Sequence, residues 1–88
     1  MRYLVIETYL HGAAPVYERA AARGRLLPPG LLYIESWIDA LNLSRCFQLM
    51  ETDDQSLFQP WTAQWQDLVS FEVVPVINSI EAASRAQS

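Results

Sequence analysis

The sequence predicts an α+β domain of order βαββαβ: one antiparallel four-stranded sheet with two helices on one face. Three observations carry this. Residues 2–10, both halves of 31–52, and 70–77 alternate with the two-residue period of a strand. Residues 14–27 and 57–68 instead carry apolar side chains at steps of three and four, the period of a helix. Right-handed crossovers then place the fourth, first, third and second strands side by side in that order.

Along the first strand, Leu4, Ile6 and Thr8 point one way and Tyr3, Val5, Glu7 and Tyr9 the other, until His11-Gly12 breaks the alternation. Pro15 suits the first turn of the helix that follows. Glu18 lies toward its positive end, and Arg23 and Arg25 toward its negative end. Val16, Tyr17, Ala20, Gly24 and Leu27 form its apolar stripe. Gly24 is placed inside the helix, at a cost of about 1 kcal/mol against Ala. Pro28-Pro29-Gly30 ends it.

Residues 31–52 form a hairpin. With residues 40–43 as the connection and Asn42 in the left-handed region, Trp37 opposes Cys46, Glu35 opposes Gln48, and Tyr33 opposes Met50. Leu32, Ile34, Ser36 and Ile38 then share the other side with Arg45, Phe47, Leu49 and Glu51. Asp53 or Asp54 caps the second helix. Leu57, Phe58, Trp61, Trp65 and Leu68 lie on one face of it, with Trp61 and Trp65 in the core. Pro60 opens its main segment after an initial turn. In the last strand Phe71 and Val73 face one side, and Glu72, Val74 and Val76 the other. Pro75 cannot donate a ladder bond, which puts this strand at an edge. One domain spans residues 1–83, and residues 84–88 form a frayed tail.

The aliphatic side, with Leu4, Ile6, Ile34, Ile38, Phe47, Leu49, Phe71 and Val73, is expected under the helices. That leaves Tyr3, Glu7, Tyr9, Tyr33, Glu35, Trp37, Cys46, Gln48, Met50 and Val74 on an open face too aromatic for water. A chain of 88 residues that is 51% hydrophobic hides such a face by pairing with a second copy, so a homodimer is expected.

Composition excludes several classes of function. A net charge of −4 with no lysine argues against nucleic acid and anionic membranes as partners. One cysteine excludes an internal disulfide and suits a reducing compartment. No apolar run reaches the length of a membrane span. The opening MRYLVIETYL reads as a strand and not a signal peptide. A cytoplasmic protein is the default.

Glu7 and Glu35, on strands about 10 Å apart, are the candidate acid/base groups. Burial would raise their pKa values into a working range. The competing role is structural, hydrogen bonding to Gln48, tyrosines or arginines across an interface. Cys46 lacks a neighbouring cation and lines a pocket as an inert thiol. Tyr3, Tyr9, Tyr33 and Trp37 could wall a pocket for a flat ligand, with Gln48 and Met50 completing it. His11, the single histidine, lies about 13 Å along the strand from Glu7 and reads as an exposed loop residue, the alternative being a haem ligand or a base at the barrel mouth. No metal site, phosphate-binding loop or nucleophilic triad occurs, and no motif implies a cofactor.

The runs YLVIETY, PVYERAAARGRLLPPGL, YIESWID, RCFQLMETDD and DLVSFEVVPV resemble a small bacterial family of unknown function, marked by RCFQLMET. That family sits within the ferredoxin-like superfamily of dimeric α/β barrels. The resemblance covers nearly the whole chain and implies a homodimer with a cavity at its sheets. The wider superfamily includes cofactor-independent monooxygenases, muconolactone isomerases and haem enzymes, so fold alone selects no reaction. The expected function is binding of a small, mostly apolar or aromatic molecule in a cavity formed by the open sheet face. The alternatives are an oxygenase- or isomerase-like enzyme using Glu7 or Glu35, and an interaction module with a filled interface.

Overall fold

The computed structural model describes residues 1–87. Strand β1 (Arg2–Tyr9) leads to helix α1 (Ala13–Arg23). Strands β2 (Leu32–Ile38) and β3 (Arg45–Glu51) follow. A single 3₁₀ turn (Gln55–Leu57) runs into helix α2 (Phe58–Ala63), then strand β4 (Val69–Val76) and helix α3 (Ser79–Ala86). The sheet has the expected order, β2-β3-β1-β4, with every pair antiparallel. Pro75 lies on edge strand β4. The Asp54 side chain caps the 3₁₀ turn by accepting from Ser56 N–H at 3.0 Å. That turn delivers Pro60 into the first turn of α2, where its missing N–H breaks no bond.

Four local expectations are corrected. Gly24 does not sit inside α1 but terminates it, at φ 70°, donating its N–H to Ala20 O at 2.8 Å. The hairpin connection is longer than four residues: Asp39 N–H bonds Arg45 O at 2.9 Å, and Arg45 N–H bonds Asn42 O at 3.1 Å. Asn42 is not left-handed, since Leu26 (φ 61°) is the only non-glycine with positive φ among the described residues. Asp39 and Asn42 instead accept from the N–H two residues on, in Leu41 and Ser44. Finally, a bulge at Ile34 breaks the hairpin register. Tyr33 opposes Met50 as expected, but Glu35 opposes Leu49 and Trp37 opposes Phe47. One extra residue moves the second half of β2 to the opposite side.

The largest correction concerns the faces. The helices cover Tyr3, Val5, Glu7 and Tyr9 of β1 and Cys46, Gln48 and Met50 of β3, all buried. Tyr3 packs edge-on against Phe58 with ring centroids 5.0 Å apart, Trp61 lies 5.4 Å from Phe71, and Tyr9 lies 6.4 Å from Tyr17. Phe71 and Val73 are on this side as expected, and Val74 on the other. Leu4, Ile6, Phe47 and Leu49, expected under the helices, are on the open face. Charge explains the choice. On β1 and β3 the aliphatic side also carries Arg2, Thr8, Arg45 and Glu51, whereas the aromatic side carries one carboxylate. Burying the aliphatic side would strip water from several charges. The aromatic side loses only Glu7 to burial and meets Tyr17, Phe58 and Trp61 on the helices and Trp65 just after α2.

Helix α3 runs past Ala83 to Ala86. The Asn78 side chain caps it by accepting from Glu81 N–H at 2.8 Å. Its residues are exposed, Ile80 included.

Candidate functional site

Between the sheet and α1 lies a cavity of about 130 Å³. Its floor is the covered face of the sheet, where alternation aims Glu7 and Tyr9 from β1, Cys46 and Gln48 from β3, and Ser36 and Ile38 from β2 into one space. Its roof is apolar. Val16, Tyr17 and Ala20 come from successive turns of α1, and Trp61 and Trp65 from and just after α2. Arg25 stands at its margin on the loop that Gly24 begins.

Glu7 is 4% exposed. Gln48 Nε2 donates to Glu7 Oε2, a bond made diagonally across β1 and β3 because Glu7 itself opposes Cys46. Burial pushes the Glu7 carboxyl up to about 7; the Gln48 N–H and then the positive charge of Arg25 act in the opposite direction. The second amide atom of Gln48 is different. Gln48 is only 9% exposed, and its Oε1 has no hydrogen-bond partner among the described residues. A buried acceptor left unpaired costs about 1–3 kcal/mol.

Cys46 and Tyr9 lie beside this pair. Burial pushes the Cys46 thiol up to about 11, outweighing the hydrogen bond from the Tyr9 hydroxyl that favours thiolate. Tyr9 is raised for the same first reason, with Cys46 adding to it. At neutral pH the site therefore offers a thiol and a phenol, not a thiolate nucleophile.

Of the residues the sequence singled out, Glu7, Tyr9, Cys46 and Gln48 are brought together. Tyr3 and Met50 are on the same face but lie in the core beyond the cavity, Met50 at 0% exposure. Tyr33 sits beside the margin, its hydroxyl 2.8 Å from Ser36 Oγ. Glu35 and Trp37 are separated from the rest: the bulge sends both to the open face, Glu35 exposed and Trp37 at 48%. Of the two candidate acid/base carboxyls, Glu7 lines the cavity and Glu35 lies outside it. His11 is exposed and outside the cavity. Among the described residues, no three His, Cys, Asp or Glu side chains converge as a metal centre would require. No described helix is long and apolar enough to cross a membrane.

Ser36, Ile38 and Arg25 were missed. The first two follow from the alternation once the bulge is allowed. Arg25 follows from reading Gly24 as a helix end, which puts the next residue on a turn back toward the sheet.

No curated protein and no solved structure matches the chain. Residues 1–88 match the family described as a domain of unknown function (DUF3303), and with the whole chain covered the protein belongs to that family.

Proposed function

We propose that this protein binds a small, mostly apolar or aromatic molecule in the cavity between the sheet and α1, with Glu7 and Gln48 at its polar end. The observation that carries this is the unpaired Gln48 Oε1, a buried acceptor on the floor of a cavity. A ligand hydroxyl or N–H would pair it and recover its desolvation cost. The volume, about 130 Å³, is close to the roughly 150 Å³ of a cavity that accepts benzene. The test is calorimetric titration with phenol and benzyl alcohol on the wild type and on Ala20→Leu, which fills the space from α1. Binding to the wild type alone supports the reading. No binding, or equal binding to the filled variant, rejects it.

A second reading is supported by Glu7. A carboxyl held at about 7 has both protonation states populated near neutral pH, the condition for general acid–base catalysis. An isomerase or a cofactor-independent oxygenase would use it. Any turnover of a bound ligand should vanish in Glu7→Gln while binding persists; turnover retained in that variant removes Glu7 from catalysis.

We further propose that a second copy of the chain covers the open face, as in the dimeric α/β barrels the sequence resembles. Leu4, Ile6, Trp37, Phe47 and Leu49 provide apolar contact there, and Arg2, Arg45, Glu51 and Glu72 supply both signs of charge, as a self-complementary interface needs. A cytoplasmic setting fits a lone buried thiol.

A further inference from the structure

We propose that the ligand is a small monocarboxylic acid, with its apolar body in the cavity and its carboxylate on the guanidinium of Arg25; this rests on the binding reading above. Arg25 is exposed, and an exposed arginine ordinarily keeps its rotamer freedom. This one is constrained from three directions. Its backbone carbonyl accepts two indole N–H groups, Trp61 Nε1 at 2.9 Å and Trp65 Nε1 at 3.1 Å. The next residue, Leu26, is held at φ 61°, a left-handed conformation that is unfavourable for a side-chain-bearing residue. Its guanidinium carbon lies 3.6 Å from the centroid of the Tyr33 ring, and the Tyr33 hydroxyl is itself tied to Ser36 on the cavity wall.

Despite this ordering, no ion pair joins Arg25 to a carboxylate among the described residues, whereas Arg2, Arg19 and Arg85 each reach one. The Glu7 carboxyl lines the same cavity, yet Arg25 acts on it only through its charge, and less strongly than the Gln48 hydrogen bond does. Strain and stacking that fix an unpaired cation at a cavity margin are the arrangement expected where an anion binds. The guanidinium lies over the Tyr33 ring and also donates to the Tyr33 hydroxyl; its remaining N–H groups suit two parallel bonds to a planar carboxylate. A dianion would face both the Glu7 carboxylate and a chain of net charge −4, so a single negative charge fits best. On the cavity floor, Gln48 Oε1 favours acids that also carry a hydroxyl.

The experiment compares benzoate, 4-hydroxybenzoate and benzyl alcohol by isothermal titration calorimetry on the wild type and on Arg25→Met, at low and high salt. Benzoate should bind the wild type about tenfold more tightly than benzyl alcohol, the scale of one charge-assisted pair. That advantage should disappear in Arg25→Met, where benzyl alcohol keeps its affinity. Salt should weaken benzoate and leave the alcohol unchanged. If benzyl alcohol binds and benzoate has no advantage, or keeps it without Arg25, the carboxylate assignment falls and the binding reading stands. If none of the three binds, both fall. Should Arg25→Met fail to fold, the wild-type salt series decides alone, and a salt-independent benzoate affinity overturns the proposal.

Discussion

The two faces of the sheet are made by one alternation and have opposite fates. The covered face holds Tyr3, Val5, Tyr9, Cys46 and Met50 around one carboxylate. The open face holds Leu4, Ile6, Phe47 and Leu49, interleaved with Arg2, Arg45, Glu51 and Glu72. Aliphatic content alone would bury the second. Charge buries the first, because a desolvated ion costs more than an exposed leucine loses. The difference also sets their chemistry. The covered face has one ionisable carboxyl with a raised pKa in a cavity, while the open face interleaves charges of both signs with aliphatic side chains.

The comparison can be broken most directly in the core. Met50→Ala should cost about 2–5 kcal/mol, the range for emptying a packed site. Leu49→Ala, one residue along but on the other face, should cost under about 1 kcal/mol at protein concentrations low enough to keep the chain monomeric. Urea denaturation of both variants decides this, and equal losses would mean that the faces do not differ as described.

Next in size is the pH dependence of Glu7. Its folded carboxyl lies at about 7 against an ordinary 4.5, so the folded state favours the protonated form. The stability this gives is fully present below pH 4.5 and is lost as pH rises through about 7. The loss should approach about 3 kcal/mol, on the order of 1.4 kcal/mol for each tenfold difference in proton affinity. Glu7→Gln should flatten this part of the stability profile. A wild-type profile already flat between pH 4.5 and 8 would show that Glu7 keeps its charge at no cost.

The smallest effect sharpens the contrast from the open side. Trp37→Ser should shift monomer stability by no more than about 0.5 kcal/mol while weakening self-association in sedimentation equilibrium. A large drop in monomer melting would place Trp37 in the core after all.

Much of the fold was legible because it depends on local rules. Two alternating halves gave the hairpin, Pro75 marked an edge strand, Asp54 marked a cap, and the step of four between Trp61 and Trp65 marked a core face. Which side of the sheet the helices chose was not legible from hydrophobicity, since it turned on the charges interleaved with Leu4 and Leu49. The site was half legible. Glu7, Tyr9, Cys46 and Gln48 share a face whichever side is covered, so the alternation grouped them correctly. Glu35 and Trp37 were grouped with them because nothing in IESW announces an extra residue. Arg25 escaped notice because a helix continued through Gly24 would have carried it onto a solvent-facing turn.

The bulge at Ile34 has a consequence for folding kinetics. A hairpin zipping from its connection in unbroken register would bring Ile34 opposite Met50 and turn Tyr33 outward. The native hairpin restores the phase, so that Tyr33 opposes Met50 and its hydroxyl meets Ser36 three residues away, a contact an unbroken strand forbids. The two registers differ by a single slipped residue and are close competitors early in folding. Arg25 stacking on Tyr33 arrives from a distant part of the chain and rewards only the bulged form. The nascent hairpin is therefore expected to reach its final register late, once the loop after α1 has docked; stopped-flow refolding should show a slow phase that Tyr33→Leu, which removes the ring under Arg25, prolongs.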